Sequence, residues 1–248
     1  MKSATILMTI PKKRNDATTH TAVWAEGIYK LAKSLGYNVI AIRGKDTTYD
    51  NVTKAIEKYR PRVFIHVGHG CRSHINGQDQ CIVTRKYSID ELSNMPFEKL
   101  DWLMNPVKLS GCGKDVCSLN NDVCMPLCFN ETNVHLLKDT LVMTIACHSS
   151  SQLGRCAVAY GATAYMGYSD LLLFPVDGMR SQDEFGNFHV ELMRNILLGD
   201  SVGDAYNKMM KMEDLYIRAN KGVKWLALPS LWNHKCRELL GDANATIY

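Results

Sequence analysis

Val63-Phe64-Ile65-His66-Val67-Gly68-His69-Gly70 is the stretch on which the fold turns. Its first five residues are apolar except for one histidine. Such a run has the length of a strand and is too apolar to leave one face in water, the pattern of a parallel strand covered on both sides. The Gly-His-Gly that follows ends the strand abruptly and leaves an imidazole at its carboxyl end. Upstream, residues 4–10 form a second apolar run. Ala22, Ala25, Ile28, Tyr29, Ala32 and Leu35 then recur at helical spacing, with Gly36 as a stop. Residues 38–43 read as a strand ending at Gly44, and Val52, Ala55, Ile56 and Tyr59 as a helix ended by Pro61. Strand, helix, strand, helix, strand predicts an α/β fold with a parallel sheet and right-handed crossovers.

The same construction returns downstream. Leu141-Val142-Met143-Thr144-Ile145-Ala146 runs into Cys147-His148-Ser149-Ser150. A helix is expected over 152–160, a strand over 162–168, helices over 188–198 and 202–214, and a closing strand over 243–248. The stretch between the two motifs is less regular, with a strand over 80–84, a helix over 89–104 and a loop rich in Cys, Gly and Asn over 105–133. A loop of that length in a compact domain points to function, a metal staple or mobility. With no internal repeat or linker, residues 1–248 read as one domain carrying a Cys-rich insertion at about 105–133.

Composition narrows the function. The 248 residues suffice for a substantial core. Lys and Arg number 29 against 25 Asp and Glu, a balance that gives no support to nucleic acid as a partner. No apolar run approaches the roughly 18 residues that span a bilayer, so no membrane role is expected. Residues 4–10 lack a small-residue cleavage site and run into Lys12-Lys13-Arg14, which reads as a buried strand in a cytoplasmic protein rather than a signal peptide. Nine cysteines leave at least one unpaired within the chain.

Parallel strands of one sheet finish at the same edge, where open α/β sheets place their ligand sites. His69 and Cys147 therefore stand at matching strand ends although 78 positions separate them. Alone, each is more simply a satisfied strand-end histidine or a small buried hydrophobe. Together they form a candidate nucleophile and base. His69 is placed to take the thiol proton and return it to a leaving amine. A helix N-terminus after Cys147 and a nearby imidazolium favour the thiolate. The N–H groups of Gly70 and Cys147 are candidate oxyanion donors.

This pair of motifs, an apolar strand ending in His-Gly and another ending in Ala-Cys, resembles the caspase-like (clan CD) cysteine peptidases. The resemblance extends over most of the chain and is nearest to the gingipain/CHAT-domain branch. Gly161 with residues 162–168 resembles the strand after the nucleophile helix there, and residues 198–205 a later helix start. Leu239-Leu240-Gly241-Asp242 resembles the Leu-Gly-Asp close of gingipain-family domains, with Ala243 where proline is usual. Ile145 stands where metacaspases carry Asp and caspases Gln, so neither signature is present. The resemblance implies a three-layer caspase–hemoglobinase-like fold with a mostly parallel central sheet flanked by helices. It also implies a Cys147–His69 dyad, a polypeptide substrate and no cofactor for catalysis. Activity dependent on processing or on an activating partner fits it, and so does a catalytically silent CHAT-like module that binds a partner.

Two loops compete to read the substrate. Asp170 and Asp177 suit a basic side chain, which is the preferred expectation, whereas Lys12, Lys13 and Arg14 suit an acidic one. Cys112, Cys117, Cys124 and Cys128, spaced C-x4-C-x6-C-x3-C, are open to structural zinc, to disulfides or to free thiols. The same segment is placed to cover the crevice, or to be cut after Lys108 or Lys114. A metal-dependent hydrolase built on His66, His69 and Cys71, with His148 near by, is the rival chemistry. It is disfavoured because side chains alternate along a strand. His20, His74, His135, His189 and His234 show no partner in sequence and read as surface or packing positions. Tyr206, Met209, Met210 and Met212 read as a core-facing helix, and Trp225 and Trp232 as packing residues.

Overall fold

The computed structural model describes residues 4–12, 18–70, 74–75, 77, 81–86, 122–126, 129–130, 133–174 and 180–248. In chain order the first elements are β1 (Thr5–Ile10), α1 (Thr18–Ser34), β2 (Asn38–Arg43), α2 (Tyr49–Tyr59) and β3 (Val63–Val67). Two short antiparallel pairs follow: β4 (His74–Ile75) with β7 (Phe129–Asn130), and β5 (Cys81–Lys86) with β6 (Asp122–Pro126). Then come β8 (Leu141–Ile145), α3 (Arg155–Ala159), β9 (Ala164–Tyr168), α4 (Arg180–Leu198), α5 (Val202–Ala219), α6 (Lys224–Cys236) and β10 (Arg237–Gly241). β6 and β7 fall inside the stretch expected to be an irregular loop, and the helix expected over 89–104 lies outside the described residues.

Six strands form the main sheet in the order β2-β1-β3-β8-β9-β10. All neighbours are parallel except β10, which closes the edge antiparallel to β9. The closing strand is therefore 237–241, not 243–248. Gly241 ends it at φ 86°, where a Cβ would lie 2.7 Å from the Thr163 carbonyl oxygen, so the glycine of the Leu-Gly-Asp sequence meets a steric demand.

Both faces of the sheet are covered, and the strands show it residue by residue. Ile6, Met8, Ile10, Val63, Ile65, Val67, Leu141, Met143 and Ile145 join one apolar cluster with residues of α1, α4 and α5. Leu7, Phe64, Val142 and Ala146 join a second cluster with residues of α2 and α3. That period of two, with both sides dry, is the parallel strand pattern expected from sequence. The architecture is three layers of helix, sheet and helix.

Helix ends explain the register of the crossovers. α1 stops where Tyr37 N–H donates to Ala32 C=O (3.1 Å) and Gly36 N–H to Lys33 C=O (3.0 Å), a Schellman closure with Gly36 at φ 83°. α2 is capped by Thr48, whose hydroxyl accepts from Asn51 N–H, and closes on Arg60, left-handed at φ 42°, just before Pro61. The Ser201 hydroxyl caps α5 by accepting from Asp204 N–H at 3.1 Å.

α6 is built inside out. Its buried residues are the polar Ser230 (0% exposed) and Asn233 (1%) together with Cys236, whereas Trp225 (52%) and Leu228 (60%) face solvent. The packing role expected for Trp225 is therefore corrected, whereas Trp232 is 40% exposed and keeps its indole N–H on the Leu171 carbonyl. Met209 is buried, Tyr206 and Met210 pack on the core, and Met212 faces outward against expectation.

Candidate active site at the carboxyl edge of the sheet

The strand register brings the two motifs together. β3 and β8 are adjacent and parallel, with Val67 opposite Ile145, so His69 and Cys147 each lie two residues beyond the last pair. Gly68 N–H donates across the gap to the Ile145 carbonyl (3.1 Å). Gly70 then turns in so closely that a Cβ there would lie 2.9 Å from both Ala146 Cβ and the Cys147 carbonyl oxygen. Only glycine allows this approach. Gly70 also forms an antiparallel bridge with Ile75, which fixes the exit of the His69 loop.

A row of buried polar residues underlies this edge. Thr9, His66 and Thr144 lie side by side on β1, β3 and β8, all on the α2 and α3 face. Thr144 donates to Ser149 Oγ (2.7 Å), and Ser149 donates to the Ala146 carbonyl (2.8 Å), pinning the turn that carries Cys147. A Cβ at Gly167 on β9 would sit 2.7 Å from Thr144 Oγ1 and 2.8 Å from Ser149 Oγ, so the hydroxyl pair fits because that position is bare.

The turn itself is tight. His148 adopts φ 52°, a left-handed conformation uncommon outside glycine and often found at functional turns. Its N–H donates to the Asp170 carbonyl (2.9 Å), tying the Cys147 turn to the end of β9. One π-helical turn, Ser150–Gly154, leads into α3, so helical backbone covers the expected 152–160 segment up to Ala159.

Cys147 is partly buried, and Leu172 N–H donates to its Sγ at 3.4 Å. Burial pushes the thiol above its ordinary value. The Leu172 and Cys147 N–H groups work against that rise, and the Asp170 carboxylate adds to it. The helix start and imidazolium expected to favour a thiolate do not dominate here; desolvation does. The Leu172 N–H is a site group that sequence reasoning missed, because nothing in Leu171-Leu172-Leu173 marks a backbone donor.

That segment is held from beneath by α6. Trp232 Nε1–H donates to the Leu171 carbonyl (2.9 Å), and Asn233 both accepts from Leu173 N–H (2.9 Å) and donates to its carbonyl (2.6 Å). No family model and no curated protein matches the chain.

Of the substrate-reading candidates, the structure ties Asp170 to the Cys147 turn through the His148 N–H, with its carboxylate near enough to raise the thiol's pKa. Its carboxylate is 46% exposed, accepts from Leu171 N–H (2.7 Å) and lies 3.8 Å from His148 Nδ1. Asp177, Lys13 and Arg14 lie outside the described residues, and Lys12 is exposed just beyond β1. Cys71, Cys112, Cys117 and Cys128 also lie outside them, while Cys124 falls on β6 opposite Val83. Among the described residues no group of three His, Cys, Asp or Glu is placed to share a metal ion. His66 has both ring nitrogens engaged, with Thr9 Oγ1 at 2.9 Å and the His69 carbonyl at 3.2 Å, which removes it from the ligand set of the rival hydrolase. No described helix is long and apolar enough to cross a membrane.

Proposed function

We propose that the chain is a cysteine endopeptidase of caspase-like type, with Cys147 as nucleophile and His69 as general base and acid. One observation carries the reading: the two reactive residues end adjacent parallel strands at the same distance past the last register pair, on loops locked by Gly70 and by the Thr144–Ser149 pair. His69 removes the Sγ proton as sulfur attacks the scissile carbonyl carbon, and the C–S bond forms. The carbonyl oxygen takes up the negative charge against the N–H groups of Gly70 and Cys147. His69 then delivers the proton to the leaving amine, and water hydrolyses the thioester. The Asp170 carboxylate, carried next to the Cys147 turn, supports a basic side chain before the scissile bond.

A raised thiol favours proton transfer concerted with substrate binding over a resting thiolate. The same observation supports a second reading, a CHAT-like module that is silent until a partner or processing relieves the burial that keeps Cys147 protonated.

The test is covalent capture with peptidyl acyloxymethyl ketones ending in Lys, Arg, Asp or Leu, read by intact mass. One adduct on Cys147 with the Lys or Arg reagents, abolished in His69→Ala, is expected. Asp170→Asn should shift preference away from the basic reagents by about tenfold or more, the loss of one charge-assisted contact. No adduct from any reagent on the folded chain supports the silent module; preference for the Asp reagent moves substrate reading to Lys12 and its neighbours.

A further inference from the structure

His66 is fully buried within β3, and the proposed chemistry does not use its ring directly. Its two nitrogens make opposite demands. Nε2 lies 3.2 Å from the His69 carbonyl oxygen, which only accepts, so Nε2 carries the proton. Nδ1, 2.9 Å from Thr9 Oγ1, is then the acceptor of the Thr9 hydroxyl proton. The alternative outlet for that hydroxyl, the Ile65 carbonyl, is farther at 3.4 Å. One tautomer satisfies every group: the His69 carbonyl specifies it, and Thr9 on β1 complements it.

The ring is held on the other side as well. A Cβ at Gly68 would lie 2.6 Å from Pro11 Cγ and 3.1 Å from His66 Nε2, so the backbone before His69 passes directly over the imidazole. Burial keeps the ring neutral, with its pKa lowered to about 3, and any charge on His69 acts in the same direction. A neutral ring serves the dyad, because a second positive charge next to His69 would oppose the imidazolium that forms there.

Resting on the Cys147–His69 reading, we propose that His66 is a positioning residue: its Nε2–H holds the His69 carbonyl, and Thr9 holds the tautomer, so that the His69 imidazole is aimed at Cys147. Thr144 and Ser149 do for the Cys147 turn what Thr9 and His66 do for the His69 loop. Across one face of the sheet, a single polar row sets both halves of the site.

The test is the rate of Cys147 alkylation by iodoacetamide from pH 5 to 10, read on the Cys147 peptide by mass spectrometry, with circular dichroism confirming each fold. The wild type should show a limb of reactivity below the titration of the thiol itself, carried by His69 taking the proton as sulfur is alkylated, that disappears in His69→Ala. His66→Leu and Thr9→Val should lower that limb at least about tenfold, the scale on which small misorientations act. His66→Gln, whose amide can still donate to the His69 carbonyl, should restore most of it. A merely structural His66 would not give that rescue. Should His66→Leu fail to fold, Thr9→Val, nearly the same shape, decides alone. A wild-type profile in the folded His66→Leu or Thr9→Val variant overturns the proposal while leaving the dyad standing. A wild-type profile in His69→Ala overturns the dyad reading itself, and the proposal with it.

Discussion

Glu213→Ala is expected to destabilise the chain by about 3–5 kcal/mol, the usual cost of leaving one member of a buried ion pair unpaired. Glu213 is wholly buried on α5 and meets the Arg237 guanidinium at the start of β10. Burial works against the charge on Arg237, but Tyr168 and Glu213 outweigh it and hold its pKa above the usual arginine value. Arg237 also donates to Tyr168 Oη (2.8 Å). Tyr168 in turn donates to His189 Nε2 (2.7 Å), and His189 Nδ1–H donates to the Phe185 carbonyl (3.0 Å). Every proton in this chain has one consistent direction, and Trp24 stacks on the His189 ring with centroids 5.7 Å apart. Removing Glu213 strands the cation at its head. For a domain of this size the melting temperature should fall by roughly 10 °C. A double variant, Glu213→Leu with Arg237→Met, should recover most of that loss, because replacing a buried pair by apolar groups is often neutral or better. Equal melting temperatures for wild type and Glu213→Ala would show that the pair contributes nothing.

Acid should weaken the fold well above the carboxylate range. His66 and His189 are both buried, and burial lowers each pKa to about 3. An unfolded histidine titrates near 6.5, so between these values the unfolded chain binds more protons than the folded one. The stability is whole above about pH 6.5 and is lost as the pH falls towards 3. Well below 6.5 each histidine removes up to about 1.4 kcal/mol per pH unit, so the pair removes about 3. Urea unfolding followed from pH 7 to 5 isolates the effect, since carboxylates with ordinary values near 4 remain largely ionised there. His189→Gln should about halve the slope even though its breach of the network lowers stability at every pH. A slope of zero over that interval would mean that neither ring is held neutral.

Much of the fold was legible because the sheet is buried on both faces. Continuous apolar runs marked β1, β3, β8 and β9, and Gly36 and Pro61 marked helix ends that the structure closes as expected. The edge bearing His69 and Cys147 was legible for the same reason, since parallel strands fix where their ends meet. The charged network was not. Neither Glu213 nor Arg237 carries a mark in sequence, and their partnership spans 24 residues with no local signal. His189 was read as a lone surface or packing histidine because its partners, Tyr168 and Trp24, come from other elements. α6 misled for a different reason. Asn233 and Ser230 are polar yet buried, Asn233 because it satisfies both backbone groups of Leu173, and Trp225 lies outward. The closing strand was misplaced because 243–248 is as apolar as 237–241, and only the antiparallel register with β9 separates them.

The central claim is that Cys147 and His69 cleave peptide bonds. It is tested most directly by incubating the folded chain with a proteome-derived peptide library and identifying the new termini by mass spectrometry. The wild type should generate termini following Lys or Arg, and Cys147→Ala and His69→Ala, folded to the same melting temperature, should generate none above background. New termini that persist in Cys147→Ala, or none from the wild type even after limited nicking between residues 105 and 133, would contradict it.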